Sequence, residues 1–345
     1  MNLPTLWFMI IAVLWIGFFV LEGFDFGVGA LHRYVGRTDT EQRVAINSIG
    51  PFWDGNEVWL IVAGAATFAA FPDWYATWFS ALYLALMITL MLLMIRGLTF
   101  EYRSKIGNPS WRKFWTWALT VSSLLLPVMF GTALGDLLVG LPVNESGEFT
   151  GNLLDVLTPY GLWTGVTMLA LSLLHGATFL RLKTTGIVAE RADTIAYRLA
   201  WIAAGAVIVF AVWTHVVADE GVLPGPVESL AVFVVLAAAW SIRDGHDGWA
   251  FTATAFAIGL SVMSIFVNLY PNVLVSSTDE AYNLTIADSA SGNYALKVMT
   301  IVVVVLMPVV LVYQGWTFYV LRQRVRGPGE KQPTSDLETA SPTPT

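Results

Sequence analysis

Long apolar runs recur along the chain and constrain its fold more than any other feature. Each is near the length of about 20 residues that a helix needs to cross a hydrocarbon core roughly 30 Å thick. Only 12% of the residues are charged, whereas soluble domains average about 25%. The sequence therefore predicts an all-α polytopic membrane protein with about nine transmembrane helices. The runs lie near 6–31, 52–71, 75–95, 114–138, 160–182, 195–217, 227–242, 249–269 and 294–321.

Basic residues predict how the helices are oriented. All but one of the 18 Lys and Arg residues lie in or beside the connections after the first, third, fifth and seventh runs, or after the ninth. The exception is Lys297, at the start of the ninth run. Short cytoplasmic loops collect Lys and Arg, so we expect the N-terminus outside and the C-terminus in the cytoplasm.

The two halves of the chain have helices of similar length and loops of similar charge. This similarity favours two four-helix bundles and a peripheral ninth helix. The last segment is rich in Pro, Thr, Ser and Glu, a composition that buries too little apolar surface to order a chain. The predicted units are a first bundle at 1–138, an external loop at 139–159, a second bundle at 160–270, an external loop at 271–293, the ninth helix at 294–322 and a disordered cytoplasmic tail at 323–345.

Four acidic side chains lie within or at the edge of the first two runs. Glu22 and Asp25 are three residues apart near the end of the first, and Asp54 and Glu57 are three apart at the start of the second, beside Asn56. A spacing of three puts both members of a pair on one helix face. Ionisable groups in a span are costly and usually face a protein interior or a water-filled path. We expect the two pairs to meet on the cytoplasmic side.

This expected cluster suggests proton transfer. Four neighbouring carboxylates cannot all be ionised, so they could exchange protons along a hydrated chain. A helix N-terminus favours an ionised Asp54, which would collect protons, while Asp25 and Glu22 lie deeper. Two simpler interpretations stay open: Asp54 could cap the second helix, and Glu57 could pair with an arginine of the adjoining loop.

Small residues accompany the first acidic pair. Gly23 and Gly27 form a small-xxx-small pattern, and Gly29 follows. Such a pattern lets two membrane helices approach closely. We therefore interpret these glycines as helix-packing residues.

The sequence offers few groups that could hold a cofactor. It has no cysteine and only four histidines, so thiolate sites are excluded. His175 alone lies clearly inside a run, and a single buried histidine is usually a packed, hydrogen-bonded side chain. The chain is poorly equipped to hold haem by itself, and no metal site is predicted. The acidic residues are spread among loops and tail, so the net charge of −7 says little about nucleic acid. No nucleic-acid partner is predicted. The other histidines are His32, His215 and His246.

Several motifs carry a family resemblance. The glycine-rich stretch at 23–29 and the Trp-Asp-Gly-Asn-Glu-Val-Trp-Leu stretch at 53–60 are the most specific. On these motifs the chain resembles subunit II of the cytochrome bd-type quinol oxidases. Further matching stretches lie at 43–51, 71–76, 100–105 and, more loosely, 293–300.

The resemblance implies a subunit of a respiratory complex in the bacterial cell membrane that oxidises quinol and reduces dioxygen to water. Two haems b and haem d would lie in the homologous subunit I, and this chain would be a non-haem scaffold with a cytoplasmic proton path. By itself it would not be catalytic. Asp54 matches the acid of that path, Asp25 the aspartate of the glycine-rich motif, and Trp59 a tryptophan linked to oxygen access. A small single-helix accessory subunit and a quinone or lipid bound within the chain are also compatible with the resemblance.

Two other classes would suit the same residues. A proton-coupled secondary transporter could also use buried carboxylates, although transporters often have discontinuous helices near the midplane, and here the acids are expected on the cytoplasmic side. A purely structural membrane subunit is the third class. Co-purification with a haem-rich partner would distinguish the oxidase subunit from the transporter.

Overall fold

The computed structural model describes residues 2–219 and 221–327. This part of the chain is almost entirely helical. Its helices are α1 (Leu3–Val35), α2 (Asp39–Ile49), α3 (Trp53–Ala70), α4 (Pro72–Ala81), α5 (Tyr83–Tyr102), α6 (Pro109–Val139), α7 (Pro159–Lys183), α8 (Gly186–Val217), α9 (Pro226–Arg243), α10 (Asp247–Leu269), α11 (Ile286–Ser289) and α12 (Asn293–Val320).

The predicted all-α membrane architecture is confirmed. Eight helices in the described ranges, α1, α5 to α10 and α12, are long and apolar enough to cross a membrane. The remaining predicted span, the second at 52–71, corresponds to α3, which has 18 residues and is therefore about 27 Å long. Its first two turns carry Asp54, Asn56 and Glu57, which lower the mean hydropathy of the helix. The predicted orientation stays a prediction.

The third predicted span is wrong as a single helix at 75–95. The chain forms α4 and then α5, and Leu82 between them has φ −88° and ψ 9°. Packing explains the break, because α4 turns Trp74 and Trp78 into the core, where they stack with centroids 5.8 Å apart. Trp78 also packs edge-on against Trp15 of α1 at 5.6 Å. The free energy gained by burying the two tryptophans exceeds the cost of interrupting the helix at Leu82.

Polar capping extends helical structure beyond the apolar runs. The connection after α1 contains α2, whose N-terminus is a capping box formed by Thr38 and Glu41. Helix α6 begins at Pro109, where Asn108 Oδ1 accepts a hydrogen bond from the Ser110 backbone N–H at 2.8 Å. Both starts lie outside the predicted spans because they depend on capping, not on hydrophobicity.

Helices α1 and α7 lie at the centre of the molecule. α1 packs against α3, α6, α7 and α10, and α7 also packs against α6, α8 and α10. The helices of both predicted bundles therefore contribute to one continuous core. The division of the chain into two bundles stays a prediction.

The second external loop is not wholly irregular. Strands β1 (Asn272–Leu274) and β2 (Leu284–Thr285) pair antiparallel, with Asn272 opposite Thr285.

Helix α12 follows this loop and lies at the periphery. Leu296 is its only buried residue among those that the structure describes, and the Trp7 indole N–H donates to the Leu296 carbonyl at 3.2 Å.

The start of the predicted tail pairs with α7. The Val325 backbone N–H donates to the Lys183 carbonyl at 2.7 Å, and Lys183 Nζ donates to the Gln323 carbonyl at 2.8 Å. The chain is therefore ordered against the end of α7 as far as Val325. The rest of the predicted tail, 328–345, lies outside the described residues.

Candidate functional site

Asp25 and Asn56 form the centre of a buried polar cluster between α1 and α3. Asn56 Nδ2 donates to Asp25 Oδ2 at 2.7 Å and to the Leu21 carbonyl at 3.1 Å. Gln314 Nε2 of α12 donates to Asn56 Oδ1 at 3.0 Å. These three bonds fix the orientation of the Asn56 amide, so its N–H faces the carboxyl. Asp25 Oδ1 is buried and makes no hydrogen bond within the described part of the chain.

Arg96 lies beside this pair, at the meeting of α1, α3 and α5. Its guanidinium contacts Glu22, and both side chains are completely buried. Arg96 Nη1 also lies 3.7 Å from Glu57 Oε2, whose side chain is 24% exposed. One cation therefore sits between a buried carboxylate and a carboxylate that reaches the surface.

Aromatic rings surround the Arg96 guanidinium. Its centre lies 4.9 Å from the Phe26 ring centroid and 5.7 Å from that of Phe100. Trp53 stacks on Phe100 at 4.8 Å. Ring faces attract cations. The rings also cover the guanidinium, and the Arg96 side chain is completely buried. The cation is thus held by carboxylates and rings in an otherwise apolar setting.

The helical spacing of three explains how the carboxylates converge. Glu22 and Asp25 lie on one face of α1, and α3 presents Asn56 and Glu57 to it. Asp54, in the first turn of α3, is exposed. Helix α3 has no side-chain hydrogen bond at its N-cap, Phe52, so the geometry gives Asp54 no capping role. Glu22, Asp25, Asn56 and Glu57 are thus brought together, while Asp54 lies at the surface.

The cluster combines three carboxyl groups with a single guanidinium. If Glu22, Asp25 and Glu57 were all ionised, the buried charge would be strongly negative, which burial makes costly. A proton on one of them reduces that charge. Chemically, the arrangement can hold and exchange a proton between the surface, at Glu57, and the interior, at Asp25.

The glycines of α1 lie at close helix contacts. A Cβ on Gly27 would lie only 2.7 Å from the Gly176 Cα of α7. A Cβ on Gly29 would meet the Ser123 hydroxyl of α6, and one on Gly23 would lie 3.3 Å from Ile258 Cδ1. Backbones as close as those of α1 and α7 leave no room for a side chain.

Trp59 packs across the face of α1. A Cβ on Gly17 would lie 2.5 Å from two carbons of the Trp59 ring, and Trp59 is half-buried. The indole therefore rests on the backbone of α1 one turn of α3 beyond the carboxyl cluster. Its link to oxygen access stays a prediction.

His175 is held by hydrogen bonding and stacking. Its Nδ1 lies 2.7 Å from Thr254 Oγ1, and its ring stacks on Phe251 with centroids 4.4 Å apart. Nδ1 of His32 lies 2.7 Å from the Gly29 carbonyl. Within the described residues, no group of three or more His, Asp or Glu side chains could hold a metal ion.

Two members of the cluster were missed from the sequence, Arg96 and Gln314. The pattern of basic residues places Arg96 beside the connection after the third run, because it follows the end of that apolar run. Its signal was a single cation with apolar residues before it and Gly-Leu-Thr-Phe after it. Gln314 is likewise a single amide in an apolar helix. Such isolated polar residues in a span usually have a partner.

Comparisons with known proteins agree on one family. The family described as cytochrome bd terminal oxidase subunit II matches residues 3–321. The chain is 42% identical over 328 residues to the cytochrome bd ubiquinol oxidase subunit 2 of Bacillus subtilis, covering 94% of this chain and 97% of that protein. It is 34% identical over 360 residues to the cytochrome bd-I ubiquinol oxidase subunit 2 of Escherichia coli K12, covering 94% and 95%.

The fold also has a counterpart among solved structures. It is similar to a chain of the bd oxidase from Geobacillus thermodenitrificans, with a TM-score of 0.73, 16% sequence identity, and coverage of 93% of this chain and 98% of that one. This likeness concerns the fold alone, whereas the sequence match extends over nearly the whole chain. The chain belongs to the cytochrome bd terminal oxidase subunit II family.

Proposed function

We propose that this chain is the non-haem subunit of a quinol:oxygen oxidoreductase, where it supports a haem-bearing subunit I and leads cytoplasmic protons toward it. As a member of its family it is a subunit of a cytochrome bd oxidase in the cell membrane. The relatives are named as subunits of ubiquinol oxidases. The family assignment favours this function over a secondary transporter.

The proton path rests on one observation, the cluster in which Arg96 and Asn56 bring the carboxyl groups of Glu57, Glu22 and Asp25 together. Asp54 and Glu57 lie at the start of α3 and collect protons at the surface. Glu57 and Glu22 share Arg96. A proton that binds Glu57 therefore weakens the ion pair between Glu57 and Arg96 and strengthens the one between Glu22 and Arg96. Asp25 is as completely buried as Glu22, and its hydrogen bond from Asn56 holds its carboxyl in place.

The scaffold role is supported by the outer surface. Large apolar side chains on α3, α5 and α12 are exposed, among them Ile61, Leu90 and Val312, which are 67%, 57% and 73% exposed. Lipid can cover such faces, and so can another membrane subunit. We assign one of these faces to subunit I.

The packing of His175 supports a subunit that carries no haem of its own. His175 has Nδ1 bonded to Thr254 and one ring face covered by Phe251. We therefore assign the two haems b and haem d, which supply electron transfer and dioxygen reduction, to subunit I.

A purely structural role is the second candidate. The fully buried contact between Arg96 and Glu22 would by itself tie α5 to α1 and needs no proton transfer. In that case the remaining acid, Asp25, would only fix the amide of Asn56. The two roles differ in what a neutral replacement of Asp25 does.

The test is proton uptake by the complete complex in sealed vesicles, with Asp25→Asn compared with the wild type. The matched control is Asp136→Asn, because Asp136 is also fully buried but lies outside the cluster, where it accepts from Thr158 at 2.6 Å. We expect Asp25→Asn to slow proton uptake and oxygen consumption together, with an unchanged haem spectrum. Asp136→Asn should retain both rates.

Two outcomes would contradict the proton path. Normal proton uptake in Asp25→Asn would exclude Asp25 from proton transfer and favour the purely structural role. Equal losses in Asp25→Asn and Asp136→Asn would mean that any buried aspartate is needed for assembly and none specifically for proton transfer.

A further inference from the structure

A second polar site lies at the ends of the helices, outside the carboxyl cluster. It is an open cavity of about 510 Å³, lined by the end of α1, the start of α2, the end of α5 and the first turns of α6. Five cationic side chains line it, with Asp39 as the one acidic residue. The cationic residues are Arg33, Arg37, Arg103, Arg112 and Lys113.

The single acid is already shared by two of these cations. Arg103 Nη2 donates to Asp39 Oδ1 at 2.8 Å, and its Nε donates to Thr116 Oγ1 at 3.0 Å. Arg112 Nη1 lies 3.4 Å from the other oxygen of Asp39. Arg103 is therefore held in place at the edge of the cavity, and Asp39 neutralises most of its charge.

The other three cations have no carboxylate partner in the described chain. The Arg33 guanidinium lies 3.7 Å from the Trp117 ring centroid, and its Nη1 is buried without a hydrogen-bond partner there. The side chains of Arg37 and Lys113 are exposed. The cavity therefore has an excess of positive charge, and the buried N–H groups of Arg33 Nη1 make no hydrogen bond to the described residues.

An apolar stripe begins at the same cavity. Phe114, Trp117, Val121 and Leu125 lie on α6 at intervals of three and four residues and are 61%, 45%, 43% and 44% exposed. This spacing places them on one helix face. Trp117 both lines the cavity and starts the stripe, so a ligand with a charged head and apolar chains could occupy both.

We propose that this cavity binds the phosphate of an anionic phospholipid, whose acyl chains lie along the Phe114 to Leu125 stripe. Basic pockets between membrane helices suit anionic headgroups, and arginine donors match phosphate oxygens in geometry. A free phosphate ion would use the same cations but would leave the stripe without a role. The stripe is therefore what favours a lipid.

The test is native mass spectrometry of the complete, delipidated complex titrated with phosphatidylglycerol, with phosphatidylcholine of the same acyl chains, and with inorganic phosphate. The variant is Arg37→Gln/Lys113→Gln, which removes two charges that make no ion pair in the described chain. Its control is Arg198→Gln/Arg243→Gln, which removes two exposed cations away from the cavity. We expect phosphatidylglycerol to bind more tightly than phosphatidylcholine, and the cavity variant to lose roughly 30-fold in affinity while the control does not.

Three outcomes would overturn the proposal. Equal binding of the two lipids would show that no anionic headgroup is recognised, and equal losses in the cavity and control variants would place the lipid elsewhere. Displacement of phosphatidylglycerol by inorganic phosphate at comparable concentration would identify a soluble anion as the ligand. Retention of phosphatidylglycerol against excess phosphate supports the lipid.

Discussion

The guanidinium of Arg96 on α5 contacts the carboxylate of Glu22 on α1, and neither side chain is exposed. Removing both charges from water costs free energy that the contact only partly repays. The same argument makes the loss of either partner expensive, because the other would stay buried without a counter-charge. The pair therefore fixes the position of α5 against α1, because separating the helices would leave both charges unpaired.

Replacing Arg96 alone should destabilise the protein. We expect Arg96→Met to lower the free energy of unfolding by about 3–5 kcal/mol, since Glu22 then remains buried and unpaired. The double variant Arg96→Met/Glu22→Met removes both charges and should recover much of the loss. Thermal unfolding of the purified complex measures both. A single variant as stable as the wild type, or a double variant no better than the single one, would contradict this expectation.

Asp54 offers a test of proton collection at the surface. Its exposed carboxylate raises the local concentration of protons at the start of α3. We expect Asp54→Asn to slow proton uptake less than Asp25→Asn does, with a larger defect as pH rises and protons become scarce. Stopped-flow recording with a pH dye across a range of pH measures it.

The control for Asp54 is Asp73→Asn. Asp73 is also exposed and also lies in the first turn of a helix, α4, but at the other end of α3. It should leave uptake from the cytoplasm unchanged. If Asp54→Asn behaves like Asp73→Asn at every pH, proton collection begins at Glu57 or elsewhere.

The sequence predicts that the pairs Glu22/Asp25 and Asp54/Glu57 meet, and in the structure Glu22, Asp25 and Glu57 lie together. Asp54 instead lies at the surface. Helical spacing fixed which side chains share a face, and the cost of burying charge indicated that these faces meet. Arg96 could not be placed in this way, because the rule for basic residues assigns an arginine at the end of a span to the interface. Arg96 is buried because of the position and rotation of α5 against α1 and α3, which are set by tertiary packing.

The helix break at Leu82 shows a different limit. Hydrophobicity is continuous from Tyr75 onward, so nothing local ends the helix there. The break follows from the burial of Trp74 and Trp78 against α1, which is a tertiary contact. Thr38 and Asn108 cap helix starts that lie outside the apolar runs, so hydrophobicity alone does not find them.

The closest helix crossing should not tolerate a methyl group. We expect Gly27→Ala to lower the free energy of unfolding by about 1–3 kcal/mol or more, because the new Cβ would lie 2.7 Å from Gly176 Cα on α7. The control is Gly205→Ala on α8, where no atom lies within 4 Å of the new Cβ and alanine should stabilise the helix by about 1 kcal/mol. Chemical denaturation of the two variants measures the difference. Equal effects at the two positions would mean that α1 and α7 can separate at little cost.

Glu41 gives a pH-dependent contribution on the α2 side of the molecule. The Arg37 backbone N–H donates to its Oε2 at 2.7 Å, and Arg191 Nη1 donates to the same atom at 2.6 Å. These contacts lower the pKa of Glu41 below its usual 4.5. A pKa that is lower in the folded state means that ionised Glu41 stabilises the fold above pH 4.5, and that this contribution is lost as pH falls through the folded value.

Glu41→Gln should therefore cost about 1 kcal/mol or less at pH 7, and the difference from the wild type should shrink as pH falls below the usual glutamate pKa. Melting temperatures measured from neutral to acid pH test this. The control is Glu190→Gln, an exposed glutamate without an ion pair in the described residues. A difference between Glu41→Gln and the wild type that stays constant into acid would show that Glu41 acts through its shape and hydrogen bonding, and that its charge contributes nothing.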